Sequence, residues 1–309
     1  MSNDWFYLRN SCPACGSVYF KEIYKSEFNQ PPLDNYLKEF YGYQGGIDFR
    51  YLDDATYCLC SCEDCDLIFQ KEIPNEDLME ILYESWIDPE IALTRHKSNS
   101  TLDFYYKYSY KLTNYISYFN KDPAELKFLD FGMGWGDWAL MAKAFGCQSF
   151  GIELSSERIR HANYNGINIL DKDTILEHQF DFINAEQVFE HLAKPYDTLC
   201  ELKKVLKPNG IIKISVPKTK KLNRKLEKID WNNFAVSLNA IAPLEHINCY
   251  RNSSLLIMAN RAKMKELLLP FDNRYGRKKT LKDTIKNMFN STRSKYLNKK
   301  NHTFFQNIA

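Results

Sequence analysis

The chain has 309 residues, 44 % hydrophobic and 26 % charged, with a formal net charge of +2, the balance of a globular protein of one large domain or two modest ones. No run approaches the roughly eighteen apolar residues of a membrane span, and the polar start MSNDWFYLRN has no signal-peptide core, so no transmembrane segment and a cytoplasmic location are expected. The small net charge conceals an asymmetry: residues 261–300 carry 13 Lys and Arg against 3 Asp and Glu, and residues 1–260 carry 28 against 36. A polyanion contact is therefore expected to involve the C-terminal end.

Six of the nine cysteines fall in the first 65 residues. Cys12-Pro13-Ala14-Cys15-Gly16 and Cys62-Glu63-Asp64-Cys65-Asp66 are two knuckles, each placing two thiolates on one tight turn. Four thiolates from two such turns close a tetrahedral Zn2+ site. The 46 residues between the knuckles exceed the usual ribbon spacing, so an insertion around Gln30 to Gly46 is expected to loop out. Cys58 and Cys60 are alternatives to Cys62, which has the cleaner CxxC partner. Neither knuckle opens a helix in a βαβ unit, which speaks against a redox dithiol.

From about 98 to 120, Tyr105, Tyr108, Leu112, Tyr115 and Phe119 recur at three- and four-residue steps, the stripe of a helix facing a core. Tyr106 and Tyr110 lie off that stripe and are candidates for stacking on a sugar ring. Asp122-Pro123-Ala124-Glu125 reads as a turn or short helix start.

The organising stretch is Lys127 to Ser156, KFLDFGMGWGDWALMAKAFGCQSFGIELSS. A short apolar run ends in Asp130 and is followed by Gly132, Gly134 and Gly136, then a helix and a second apolar run. This is the opening of a doubly wound α/β sheet. Glycines at a strand-to-helix reversal let the backbone approach a ligand closely. The second strand ends in Glu153, whose carboxylate suits a ribose diol at the carboxyl edge of the sheet. The glycine spacing departs from GxGxxG, so an adenosine ligand without a pyrophosphate fits better.

These residues resemble the class I S-adenosylmethionine-dependent methyltransferases, whose first motif runs acidic-x-Gly-x-Gly-x-Gly and whose second strand ends in an acid. Asp130, Gly132, Gly134, Gly136 and Glu153 match position by position. The match continues through Phe180 to Pro217, with a fourth strand, a Glu190-His191-Leu192 turn, a helix, the Lys207-Pro208-Asn209-Gly210 turn and a fifth strand. The resemblance implies a Rossmann-like, mostly parallel seven-stranded sheet binding S-adenosyl-L-methionine. It implies a third strand at Asn168 to Leu170, with Asp171 or Asp173 after it accepting the adenine amino group. Ala185, Glu186 and Gln187 fall on the segment that contacts the methionine portion.

A metal ribbon before such a core is similar to the sugar methyltransferases of deoxysugar and surface-polysaccharide pathways, over roughly residues 10 to 260. Cys65 to Tyr83, CDLIFQKEIPNEDLMEILY, resembles the phrase that follows their ribbon. The long C-methyltransferases of that group add a C-terminal domain for which this chain is too short, which counts against carbon methylation; O-methylation is the preferred expectation, with C- and N-methylation left open. Residues 1–85 are then a zinc-ribbon domain, 86–125 a helical connector, and 126–309 the core with a basic C-terminal extension. Pro217 opens a lysine-rich connection of lid-like length, leading to Pro243-Leu244-Glu245-His246-Ile247-Asn248 and a helix from about Ser253 to Leu268. The His-Ile-Asn step resembles a family motif whose histidine faces the substrate. Leu267 to Phe271 with Thr303 to Ile308 would form a last antiparallel pair. Between them Leu281, Ile285, Met288 and Phe289 could line a short amphipathic helix.

Methyl transfer from a sulfonium needs alignment and a proton acceptor that is neutral near pH 7. His246 is the first candidate, and His191 the second. Four thiolates leave no open position, so the zinc is structural. The expected acceptor is a small-molecule sugar, nucleotide sugar or glycan, and the basic tail is a candidate for contact with an anionic group. An RNA methyltransferase gripping the backbone with ribbon and tail is a second reading. Nucleic acid is disfavoured because the ribbon is not basic and Asn184-Ala185-Glu186-Gln187 stands where a base-methylation motif would. A non-enzymatic scaffold is a third, disfavoured by the intact glycine and acid set.

Overall fold

In a computed structural model of the chain, residues 4–217, 219, 239–269 and 302–307 are described. Most of the lysine-rich connection after Pro217 and the stretch holding Leu281, Ile285, Met288 and Phe289 lie outside them. The N-terminal part runs β1 (Phe6–Leu8), β2 (Phe20–Glu27), α1 (Leu33–Gly42), β3 (Thr56–Cys62), β4 (Ile68–Gln70), β5 (Glu72–Pro74) and α2 (Glu76–Ile81). A π-turn over Leu82–Trp86 continues α2, and α3 (Pro89–Asn99) and α4 (Leu102–Phe119) follow. The expected insertion does not loop out. It folds as α1, burying Leu33, Leu37 and Tyr41, because its apolar residues recur at helical spacing. The helix expected from about 98 to 120 is α4, Leu102–Phe119, which Thr101 starts by accepting the Phe104 N–H on its hydroxyl at 3.3 Å.

The core continues with β6 (Lys127–Phe131), α5 (Asp137–Ala144), β7 (Gln148–Ile152), α6 (Ser156–Tyr164), β8 (Asn168–Ile169), β9 (Phe180–Glu186), α7 (Pro195–Lys204) and β10 (Leu206–Ser215). Then come β11 (Asn248–Cys249), α8 (Asn252–Arg261), β12 (Met264–Leu267) and β13 (His302–Asn307). The main sheet has the order β12-β13-β10-β9-β6-β7-β8. Strands β10, β9, β6, β7 and β8 are mutually parallel, and β13 is antiparallel to both neighbours. The sheet is therefore mostly parallel but mixed. The helix expected to reach Leu268 stops at Arg261, because Lys263 takes a left-handed φ of 55° that ends it. Residues 264–267 then pair as a strand with β13, Leu267 opposite Phe304.

Of the α4 stripe, Leu112 and Tyr115 are buried, and Tyr115 stacks on Phe182 at 4.9 Å. Phe182 also meets Phe128 at 5.3 Å and Trp138 at 5.9 Å, joining helices and sheet in one aromatic core. Tyr105, in the first turns of α4, is 38 % exposed and does not join it. Tyr106 and Tyr110 line a cavity of about 130 Å³ with Phe145.

The second sheet has the order β11-β4-β3-β2, so its outer strand comes from residues 248–249, far along the chain. Arg9, buried just after β1, fixes this junction. Its guanidinium donates to Ile247 O at 3.1 Å, Asn248 Oδ1 at 2.9 Å, Leu192 O at 3.3 Å and Ala193 O at 2.9 Å. Buried acceptors that lose their donor cost about 1–3 kcal/mol each, and some of these keep a second donor. Arg9→Ala should therefore lower stability by about 2–3 kcal/mol in urea unfolding, and Arg9→Lys should restore little of it because an ammonium lacks the planar fork. Arg50→Ala, at an exposed pair with Asp48, should leave the midpoint unchanged.

Candidate functional site

The turn between β6 and α5 is built from three left-handed glycines, with φ of 68° at Gly132, 57° at Gly134 and 86° at Gly136. They do different work. A Cβ on Gly132 would lie 2.5 Å from Val188, and one on Gly136 2.4 Å from Ile167. Those two glycines serve close packing. A Cβ on Gly134 would meet nothing within 4 Å, so the backbone there borders open space. Beside it stands Glu153 at the end of β7, accepting the Gly134 N–H at 2.8 Å on Oε2 and the Leu154 and Ser155 N–H groups at 2.8 and 3.2 Å on Oε1. The carboxylate thus holds both the glycine turn and the start of α6. A carboxylate with donors converging on it, next to an open glycine backbone at a sheet's carboxyl edge, fits the adenosine part of S-adenosylmethionine. Trp135 closes one side, stacked on His96 at 5.8 Å, with the Arg158 guanidinium 5.7 Å from its ring.

Beneath the turn, cross-strand register aligns Asp130, Asn184 and Lys213 in one row. The Asn184 amide donates to Asp130 Oδ1 at 2.7 Å, and Lys213 Nζ donates to Asn184 Oδ1 at 2.6 Å and Glu186 Oε2 at 2.7 Å. Lys111 lies 3.6 Å from the other Glu186 oxygen. Burial pushes Asp130 up to about 7, opposed by the Asn184 hydrogen bond, and burial lowers Lys213. Asp130 therefore acts from below the turn. Glu186 is tied to two lysines, while Gln187, with φ of 58°, turns away from β9 and donates its N–H to Ser215 O at 2.7 Å. Asp171 is exposed and spends Oδ1 on the Asp173 and Thr174 N–H groups and the Thr174 hydroxyl. Asp173 is likewise exposed.

His191 and His246, 55 positions apart, meet edge to face with ring centroids 4.8 Å apart. His191 Nδ1 donates to Glu245 O at 2.9 Å, and His246 Nδ1 donates to Asn239 O. Backbone carbonyls thus hold the proton on Nδ1 in both rings and leave both Nε2 atoms as lone-pair donors. Burial, followed by the neighbouring His246, drives His191 down to about 3, and burial lowers His246 as well, so both are neutral near pH 7. Tyr83 Oη, on the π-turn, is 3.3 Å from His191 Nδ1, and Tyr41 Oη donates to Glu245 Oε1 at 2.9 Å. Burial raises Glu245 to about 6. Phenols from the N-terminal part therefore reach the histidine side of the cleft.

The four knuckle sulfurs of Cys12, Cys15, Cys62 and Cys65 lie within 4.8 Å of one another, with Cys12–Cys65 and Cys15–Cys62 each at 3.5 Å. Cys58 and Cys60 are outside this cluster although they share β3. Left-handed Gly16 and Asp66 close the two turns. The donor set and its compactness fit Zn2+. Residues given no role from the sequence include Asn184, Lys213, Tyr83, Glu245, Arg158 and Arg9. The phrase around Tyr83 and the motifs holding Asn184 and Glu245 carried a signal for three of them.

No curated protein matches the chain. Solved structures similar to it include the plantazolicin methyltransferase BpumL in complex with a monoazolic desmethyl analogue and S-adenosylhomocysteine, at 16 % identity, covering 75 % of this chain and 94 % of that one, TM-score 0.47. A methyltransferase from Archaeoglobus fulgidus is similar at 18 % identity, 64 % and 91 % coverage and TM-score 0.39. The magnesium protoporphyrin IX methyltransferase of Synechocystis PCC 6803 is similar at 14 % identity, 53 % and 74 % coverage and TM-score 0.39. A family model described as a methyltransferase domain matches residues 104–262, just over half of the chain, spanning α4, the glycine turn, the polar row and both histidines. The chain belongs to this methyltransferase-domain family and is an S-adenosylmethionine-dependent methyltransferase.

Proposed function

We propose that the methyl acceptor is a hydroxyl of a sugar, carried on a nucleotide or forming part of a surface glycan. The observation that carries this reading is the polar composition around the two histidines, where the Tyr83 phenol, two neutral imidazoles and the Glu245 carboxylate, braced by the buried Tyr41 hydroxyl, lie together. Such a wall offers many hydrogen-bonding groups to a polyhydroxylated ring and little apolar surface to a flat hydrophobic one. The 13 Lys and Arg against 3 Asp and Glu between 261 and 300 suit an acceptor with an anionic carrier. Residues 1–85 act as the ribbon, 86–125 as the connector and 126–309 as the catalytic core.

Bound along the glycine turn, S-adenosylmethionine supplies an electrophilic methyl group on a sulfonium. Glu153 holds the ribose end, and the Glu186-Gln187 segment borders the methionine end. Asp171 or Asp173 serves the adenine. The acceptor oxygen forms the new O–CH3 bond with its lone pair as the S–CH3 bond breaks and its electron pair returns to sulfur. His246 and His191, both neutral near pH 7, assist removal of the acceptor's proton. Cys12, Cys15, Cys62 and Cys65 hold a structural Zn2+ that keeps the ribbon wall against the core.

The reaction itself is tested by mass spectrometry of nucleotide sugars and glycan extracts incubated with enzyme and labelled methyl donor, where one sugar product should gain a single methyl group. His246→Ala should abolish turnover and leave S-adenosylhomocysteine affinity unchanged, and equal loss of both would remove His246 from the acceptor chemistry. Hydrogen bonds to a charged group contribute about 1.5–3 kcal/mol. Glu153→Ala should thus weaken S-adenosylhomocysteine binding roughly tenfold to a hundredfold in calorimetry; an unchanged affinity would refute the ribose contact. Metal analysis should find about one zinc per chain, and its removal by a chelator should lower the melting temperature.

A further inference from the structure

We infer that Glu190, His191 and His246 form a binding site for a divalent transition-metal cation on the acceptor side of the cleft, separate from the four-thiolate cluster. Its use in catalysis rests on the hydroxyl-acceptor reading above, whereas its existence does not. One ring nitrogen of each histidine and one carboxylate oxygen of Glu190 lie within 4.8 Å of one another. Small side-chain rotations bring such a set onto one ion at the usual distances of about 2.0–2.2 Å.

Glu190 supplies the decisive observation. Its side chain is 0 % exposed, and no other described residue donates a hydrogen bond to either carboxylate oxygen. A carboxylate buried without a partner is costly, and a protonated carboxyl in the same place would still need an acceptor for its O–H. Neither form is satisfied by the other described residues alone. A cation between Glu190 and the two rings satisfies it.

The histidines are prepared in the same sense. Each gives its Nδ1 proton to a backbone carbonyl, His191 to Glu245 and His246 to Asn239. That is the outer-shell arrangement that fixes ring orientation and tautomer in metal-ligating histidines and leaves Nε2 for the ion. A base role for one imidazole would use neither the second ring nor Glu190. Two imidazoles and one carboxylate favour a transition metal over Mg2+ or Ca2+. Three protein ligands leave open positions for an acceptor hydroxyl. A hydroxyl bound there releases its proton to water more readily, and its oxygen then attacks the methyl carbon.

The test uses the full-length, zinc-loaded chain titrated with Mn2+, with free Mn2+ followed by electron paramagnetic resonance. Wild type should bind about one equivalent, and Glu190→Gln should weaken that binding at least tenfold. No binding by wild type, or equal binding by Glu190→Gln, would overturn the site. S-adenosylhomocysteine calorimetry on the same preparations reports whether the variant is folded. Should Glu190→Gln lose that binding too, His246→Ala decides: Mn2+ retained there overturns the proposal, and Mn2+ lost with S-adenosylhomocysteine binding kept supports it. Normal Mn2+ binding without methylation of any sugar would defeat the acceptor reading and leave the cation site standing.

Discussion

The geometry around the two histidines depends on one buried guanidinium. His191 and His246 sit on two irregular segments that no β-ladder joins directly. Arg9 donates to Leu192 O and Ala193 O on the first segment, and to Ile247 O and Asn248 Oδ1 on the second. Asn248 completes the clamp by donating to Phe189 O at 3.0 Å and Leu192 O at 2.7 Å. Burial lowers Arg9 to about 10, still charged at neutral pH. A planar fork can serve acceptors on both sides at once, which a point charge cannot. The N-terminal part is therefore a structural component of the histidine pair's surroundings, since without Arg9 the carbonyls around both histidines lose their common donor.

The cofactor side rests on a different constraint. Asp130, Asn184 and Lys213 share one register row across β6, β9 and β10, and Glu186 and Lys111 extend it. Taking charges out of water is expensive unless each finds a partner. Here each buried group has one, and the amide of Asn184 has its orientation set from both ends. Pairing of this kind holds three strand ends in fixed register. It thereby fixes the glycine turn after Asp130 and the Gln187 bend after Glu186. The aromatic core around Phe182, Tyr115, Phe128 and Trp138 supplies apolar stabilisation beside this row.

Elements with a local cause were legible. The strand and glycine turn at 127–136, the acid ending the second strand and the CxxC knuckles each follow from residue types at fixed spacing. Their physics is contained within a turn or a strand. The reading went astray where a local pattern had two solutions. The stretch from Gln30 to Gly46 became a helix because its apolar face found the Tyr57 cluster. Lys263 ended a helix that periodicity alone would have continued. Tyr105 matched the stripe spacing yet stayed exposed, because spacing sets a face and not how far the partner surface extends.

The sequence by itself determined a methyltransferase core with two CxxC cysteine pairs ahead of it, since glycine conformations, thiolate pairs and strand periodicity are short-range properties. Only the tertiary structure decided which groups meet. That His191 and His246 face one another, that His246 comes within reach of the buried Glu190, and that Arg9 reaches Asn248 are contacts between residues tens to hundreds of positions apart. Chain order does not encode them. They follow from burial, where a polar group must find a partner wherever the fold brings one.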